Sequence, residues 1–176
     1  MTQVTPRVFQ EKNSWLWQQV NVEFPTAESL RGQACYEELL KESEVVSLTI
    51  GDAVTDDQLE GVFLVDFHRL TVMFAVLQST RVQDEAAQRD LVEFFTQIIY
   101  SEPCSLYLGF ADSTPVAAAL VTKTNDEVLI SDVVLKPNML YPSSTDFIQS
   151  VLQKSGVIQP AVQLWLEQSV DTALLG

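Results

Sequence analysis

Residues 105–122 read SLYLGFADSTPVAAALVT, and after a short turn residues 127–137 read EVLISDVVLKP. Their aliphatic, aromatic and β-branched side chains predict three strands, over residues 106–111, 116–122 and 128–135. Turn-forming residues separate these strands. A proline followed by serines at 142–144 then predicts the start of a helix that ends near Gly156. The predicted order is two hairpins followed by a helix.

This segment resembles the GNAT family of acyl-coenzyme A-dependent N-acyltransferases. The residues that carry the resemblance are TPVA at 114–117, ISDVVL at 130–135 and Pro137. Further on, QLWLEQS at 163–169, followed by residues 172–174, resembles the family's fifth strand and the start of its next helix. The resemblance covers residues 105–176.

The resemblance implies an α/β (α+β) fold with a GNAT-like mixed, mostly antiparallel central sheet and helices on both faces. The length of 176 residues predicts a single domain. We expect a flexible tail over 1–14, N-terminal strands and helices over 15–104, and a coenzyme-site half over 105–176. The donor implied is acetyl-coenzyme A or another acyl-coenzyme A, and the acceptor is a small amine or a protein amine.

The resemblance also implies a set of site residues. Backbone groups of Val133, Val134 and Leu135 would pair with the pantetheine arm of the coenzyme. Asp132 is a charge in the middle of an apolar strand, where a carboxylate with a raised pKa can take the proton of an ammonium group. The alternative reading places Asp132 at an exposed position or at a bulge.

Coenzyme phosphates in the family lie on a glycine-rich loop at a helix N-terminus. The corresponding positions here are Leu140, Ser143 and Thr145. We expect the helix start formed by Ser143, Ser144 and Thr145 either to bind that anion through its free amides or to be an ordinary capped helix. The family's helix after the fifth strand, which often carries a tyrosine that protonates the leaving thiolate, would fall beyond the end of this sequence.

Composition limits the partners. The formal charge of −14 disfavours binding to nucleic acid and to anionic lipid. One histidine, His68, and two distant cysteines predict no metal site and no disulfide. Without a signal peptide or a long apolar run, the sequence predicts a cytoplasmic protein that does not enter a membrane.

The N-terminal half is predicted from periodicity. We expect a strand over 15–24, a helix from Thr26 to about Glu42 and a short strand over 45–50. A long helix capped at Thr55 or Asp56 would carry an apolar stripe through to residue 77, with His68 in its middle, and a further helix would run from Asp84 to about Tyr100. The stripe is wide enough for a core helix or, alternatively, for a homodimer interface.

Two functions follow from the sequence. One is an N-acyltransferase. The other is a non-catalytic, degenerate member of the fold that acts as a binding or interaction module, with a homodimer as one form. An accessible helix terminus after Pro142 would favour the enzyme, and a Leu140 or Tyr141 side chain filling the cleft between strands would favour the module.

Overall fold

A six-stranded sheet runs through the computed structural model, which describes residues 5–157 and 162–170. Its strands are β1 (Ser43–Ser47), β2 (Val62–Leu64), β3 (Cys104–Ala111), β4 (Thr114–Lys123), β5 (Glu127–Leu135) and β6 (Gln163–Ser169). The helices are α1 (Arg7–Val20), α2 (Ala27–Lys41), α3 (Asp56–Glu60), α4 (His68–Ser79), α5 (Glu85–Thr96) and α6 (Ser144–Lys154).

The strand order across the sheet is β1-β6-β5-β4-β3-β2. All neighbouring pairs are antiparallel except β5 and β6, which are parallel. The two predicted hairpins, β3–β4 and β4–β5, are present, and α6 provides the crossover to β6 that a parallel pair requires. The predicted mixed, mostly antiparallel sheet is confirmed.

Each face of the sheet is covered by helices, as predicted. One buried cluster joins the sheet to α1, α2, α4 and α5, with Phe74, Leu91 and Phe95 among its fully buried side chains. A second cluster joins the opposite face to α6, through Phe147 and Val151. Burial of these apolar surfaces is the main stabilising term for both layers.

The N-terminal prediction was wrong. Residues 7–20 form α1, where we expected the end of a tail over 1–14 and most of a strand over 15–24. Its buried face is formed by Val8, Lys12, Trp15, Leu16 and Val20, a helical spacing of three to four residues. Because Lys12 lies in the middle of that face, the apolar residues alone do not show the helical spacing.

The prediction of a long helix beginning after Thr55 was also wrong. Thr55 does form a capping box with Gln58, but the helix ends at Glu60. At Gly61, the residue after this helix, an added Cβ atom would lie 2.6 Å from Tyr141 Oη, so there is no room for a side chain there. The next three residues pair with β3 as the edge strand β2. His68 is the exposed first residue of α4 and not a mid-helix residue.

The edge of the sheet beside β6 is formed by β1, which pairs with it antiparallel from Ser43↔Ser169 to Ser47↔Trp165. This strand comes from the N-terminal part of the chain and directly follows α2. The helix start predicted at 172–174 lies outside the described residues.

We predict that Gly32→Ala destabilises the protein. Gly32 is where α2 crosses α5, and an added Cβ would lie 2.1 Å from the backbone oxygen of Asp90. Alanine is favoured in a helix over glycine by about 1 kcal/mol, but overpacking against a backbone typically costs about 1–3 kcal/mol. The free energy of unfolding, measured in urea, should fall, whereas exposed Glu37→Ala on the same helix should change it little. An increase for Gly32→Ala would show that the helices are not in this close contact.

Candidate active site between strands β5 and β6

The two parallel strands separate partway along their length. Their pairing runs from Glu127↔Gln163 to Ile130↔Leu166 and goes no further among the described residues. Beyond that point the strands border a cavity of about 400 Å³. Its lining comes from both faces of the sheet: Leu39, Glu42, Ser43, Arg81, Asp132, Val133, Ser144, Ile148, Leu166, Glu167, Gln168 and Ser169.

A β-bulge in β5 lies at the point of separation. On the β4 side Ser131 opposes Leu120 and Val134 opposes Ala118, so Asp132 and Val133 together oppose a single residue. Asp132 has a φ of 55°, a left-handed conformation that aspartate tolerates better than most residues. A bulge bends its strand and locally interrupts regular pairing. The bulge therefore accounts for the divergence of β5 from β6.

Four charged side chains meet beneath this bulge. Lys12 Nζ lies 2.8 Å from Glu167 Oε2 and 3.8 Å from Asp132 Oδ2, and it donates a 2.7 Å hydrogen bond to Tyr36 Oη. Arg81 Nη1 donates a 2.9 Å hydrogen bond to Asp132 Oδ1. The side chains of Lys12 and Asp132 are 0% exposed, that of Glu167 is 2% exposed and that of Arg81 is 21% exposed. Two buried carboxylates are thus opposed by two cations.

The two carboxylates differ in electrostatic environment. Burial alone would raise the pKa of Asp132, but the positive charges of Lys12 and Arg81, with hydrogen bonds from Ser131 and Tyr36, outweigh burial and lower it. Burial raises the pKa of Glu167, and the negative charge of Asp132 adds to that effect, with Lys12 only partly offsetting both. Asp132 therefore stays ionised more readily than Glu167 does.

The alternative reading, in which Asp132 lies at a bulge, is confirmed, whereas its role as a base stays a prediction. Asp132 lies at a bulge beside the cavity, as one of the two readings had it, but its pKa is lowered rather than raised. A carboxylate held by Arg81 and by Ser131, whose Oγ donates at 2.7 Å, is a weak proton acceptor. The structure thus argues against Asp132 as a base and for a role in binding the two cations.

The three residues predicted to contact pantetheine through their backbone have side chains on different faces of the sheet. Val133 lines the cavity. Val134 is buried in the core beneath α1, α2, α4 and α5, and Leu135 packs on the α6 face. Both pair with β4 on one side, and on the β6 side they lie beyond the last paired residue. The edge of β5 that faces the cavity is thus open where the prediction requires it.

The N-terminus of α6 is capped and accessible. Ser143 Oγ accepts from the backbone N–H of Asp146, and Asp146 Oδ2 accepts from that of Ser143. The backbone N–H groups of Ser144 and Thr145 have no hydrogen-bond partner among the described residues, and both residues are exposed. Such a terminus can bind an anion through its amides and its dipole.

The residues that could have blocked the cleft lie elsewhere. Tyr141 is buried against Phe147 and donates its hydroxyl hydrogen to the backbone oxygen of Gln58. Leu140 accepts a hydrogen bond from the side chain of Gln58 and packs near Gly61. Neither lines the cavity between β5 and β6. Of the two outcomes set out from the sequence, the structure shows the one that favours an enzyme.

Sequence reasoning missed Lys12, Arg81 and Glu167. Lys12 gave no signal because it lies far along the chain from the strands that it contacts. Glu167 gave one: it is a charge in a strand, directly after the apolar residues 164–166. A pair of such acids on neighbouring strands indicates a buried cation between them.

The chain is similar to known proteins in structure but not in sequence. No family model matches the chain, and no curated protein matches it. The chain is similar to a solved structure from Novosphingobium aromaticivorans that is assigned to the acetyltransferases of the GNAT family. The TM-score is 0.43 at 10% sequence identity, over 76% of this chain. The chain spans 58% of the length of that structure.

Two further observations concern metals and membranes. Within residues 5–157 and 162–170 no group of three or more His, Cys, Asp or Glu side chains is placed to hold a metal ion. Over the same residues, no helix combines the length and apolar character needed to cross a bilayer.

We predict that Lys12→Met strongly destabilises the protein at neutral pH. It leaves two buried carboxylates with only Arg81 to compensate, and breaking a buried pair typically costs about 3–5 kcal/mol. Without Lys12 the pKa of each carboxyl should rise. A carboxyl with a raised folded-state pKa favours folding at low pH and loses that contribution as the pH rises through the raised value. The deficit should therefore shrink as the pH is lowered.

Thermal and urea unfolding at several pH values test this prediction. The control is Lys41→Met, which removes an exposed lysine paired with Glu38 at 2.7 Å. Water and salt screen an exposed pair so that it contributes little to stability, and this variant should therefore stay close to the wild type at every pH. Equal effects of the two variants would contradict the buried cluster.

Proposed function

We propose that this chain is an acyl-coenzyme A-dependent N-acyltransferase whose acyl group lies in the cavity between β5 and β6. The observation that carries the proposal is the separation of these parallel strands beside an accessible helix terminus. The cavity connects the α6 face to the face covered by α2 and α4, since Ser144 lines it from one side and Arg81 from the other. Donor and acceptor can thus approach from opposite faces of the sheet.

The residues present fit the donor in three respects. The amides of Ser144 and Thr145 are available to a phosphate oxygen, and the open edge of β5 is available to the amide groups of pantetheine. The carboxylate of Asp146 is engaged by the capping serine, which reduces its repulsion of an anion. When bound, acetyl-coenzyme A or another acyl-coenzyme A supplies a thioester carbonyl that an amine can attack.

The acceptor that we propose is a primary amine on a small molecule or a protein. Amines are cations at neutral pH, and a chain with a formal charge of −14 attracts cations while it repels nucleic acid. Glu42, Asp132 and Glu167 outnumber the single cation, Arg81, in the lining of the cavity. We further propose that the reaction takes place in the cytoplasm.

A second candidate function, an interaction module, is favoured by one surface. Phe63, Leu64 and Phe67 are each about half exposed at and just after the edge strand β2. Helix α4 beside them carries no acidic residue, although the chain has 24. Exposed apolar side chains at a sheet edge are suited to contact with another protein, including a second copy of this chain.

We predict that Ser144→Glu weakens binding of acetyl-coenzyme A at least tenfold. The new carboxylate lies in the first turn of α6, where it complements the helix dipole, so the fold should be unharmed or slightly more stable. The same charge opposes a phosphate at the free amides. Isothermal titration calorimetry of the wild type with acetyl-coenzyme A and coenzyme A provides the reference, with micromolar binding expected.

The matched control is Gln153→Glu, which adds the same charge to an exposed position at the other end of α6. It should bind the coenzyme as the wild type does. Absence of heat from the folded wild type at millimolar coenzyme would refute the acyltransferase and leave the interaction module.

A further inference from the structure

We propose that Glu167 is the group that accepts the proton of the acceptor amine. The inference rests on the proposed N-acyltransferase function and deepens it, because it assigns the base to β6 rather than to the aspartate that the sequence singled out on β5.

Glu167 is a buried acid with spare hydrogen-bonding capacity. Its side chain is 2% exposed and lines the cavity. Lys12 Nζ is 2.8 Å from Oε2 but is not aligned for a hydrogen bond, and Oε2 has no other donor among the described residues. Lys12 also donates a hydrogen bond to Tyr36 Oη. A proton on this oxygen would cost its ion pair with Lys12 but would displace no hydrogen bond.

Asp132 differs on each of these points. Both of its carboxylate oxygens accept hydrogen bonds, one from Arg81 and one from Ser131. Protonation of Asp132 would weaken the ion pair with Arg81. Protonation of Glu167 would loosen only its contact with Lys12, which retains Tyr36 and the nearby Asp132 as partners.

The charged and titratable groups around Glu167 support the same assignment. They are Lys12 from α1, Tyr36 from α2, Arg81 after α4 and Asp132 from β5, with Glu42 on the cavity wall at the end of α2. Burial and the charge of Asp132 raise the pKa of Glu167 above its ordinary value, which moves it toward the range in which a general base works at neutral pH.

The chemical step is balanced without a further reactant. The ammonium group of the acceptor gives one proton to Glu167, and the resulting amine attacks the thioester carbonyl carbon. A C–N bond forms, the C–S bond breaks, and the second proton of the nitrogen goes to the sulfur. The products are an amide and free coenzyme A thiol, and Glu167 returns its proton to solvent through the cavity.

The test compares Glu167→Gln with the wild type in two assays. Calorimetry with acetyl-coenzyme A should give affinities within about twofold, because a base for the amine is not part of the coenzyme site. Release of thiol is then measured with a panel of primary amines, diamines, amino acids and lysine-containing peptides. For an amine that the wild type acylates, kcat should fall about 10²–10⁴-fold, with little change in KM, and the acidic limb of the pH–rate profile should disappear.

Two further variants complete the design. Glu167→Asp keeps a carboxylate on a shorter side chain, so it should recover part of kcat and retain an acidic limb. If circular dichroism shows that Glu167→Gln does not fold, kcat and the pH–rate profile of Glu167→Asp are compared with those of the wild type instead. The matched control is Glu44→Gln on the neighbouring strand β1, which makes the same chemical change outside the cavity lining and should preserve kcat.

The outcomes separate this inference from the function on which it rests. A folded Glu167→Gln variant with wild-type kcat and an intact acidic limb overturns the assignment of the base and leaves the acyltransferase standing. If the wild type binds acetyl-coenzyme A but acylates no amine in the panel, both the proposed amine acceptor and the assignment of Glu167 as its base are overturned, and only the coenzyme site stands. If the wild type does not bind the coenzyme at all, the proposed function fails and this inference fails with it.

Discussion

The rest of the structure depends on the ion pairs formed by the buried ammonium group of Lys12. It joins α1 to β5 and β6 by contacting Asp132 and Glu167, and Arg81 extends the cluster toward α4. Removing four charges from water costs free energy that their mutual attraction only partly offsets. Apolar side chains at these positions could hold the same elements together at a lower cost in free energy. A cluster of this kind is therefore weak evidence for stability, and its place beside the cavity is what the proposed chemical role rests on.

The cluster and the opening of the sheet are linked through one residue. Asp132 forms the bulge that separates β5 from β6, and its carboxylate also fixes Arg81. Gln78 supports it from α4 by donating a 2.7 Å hydrogen bond to its backbone oxygen. The left-handed backbone at this position is thus held by contacts from two sides. Two elements of the α4 face therefore fix the position of Asp132 in the wall of the cavity.

Asp132 and Glu167 carry the same functional group but lie in different environments. Asp132 is matched by Arg81 and a serine hydroxyl, whereas Glu167 shares one lysine with a tyrosine. Their pKa values accordingly move in opposite directions. Pairs of titratable groups separated in this way are typical of sites in which one acid binds and the other exchanges a proton.

The sequence by itself determined the elements whose signals are local. Turn residues and β-branched runs specified the hairpins β3–β4 and β4–β5, and the side chains of Thr26, Asp84 and Ser143 capped the helices predicted to follow them. The tertiary structure alone decided the rest. Residues 62–64 form a strand because β3 offers a free edge, and residues 7–20 form a helix around a lysine whose carboxylate partners, Asp132 and Glu167, are more than a hundred residues away. Local patterns report short-range preferences, whereas a buried charge is stabilised only by groups that the completed fold brings to it.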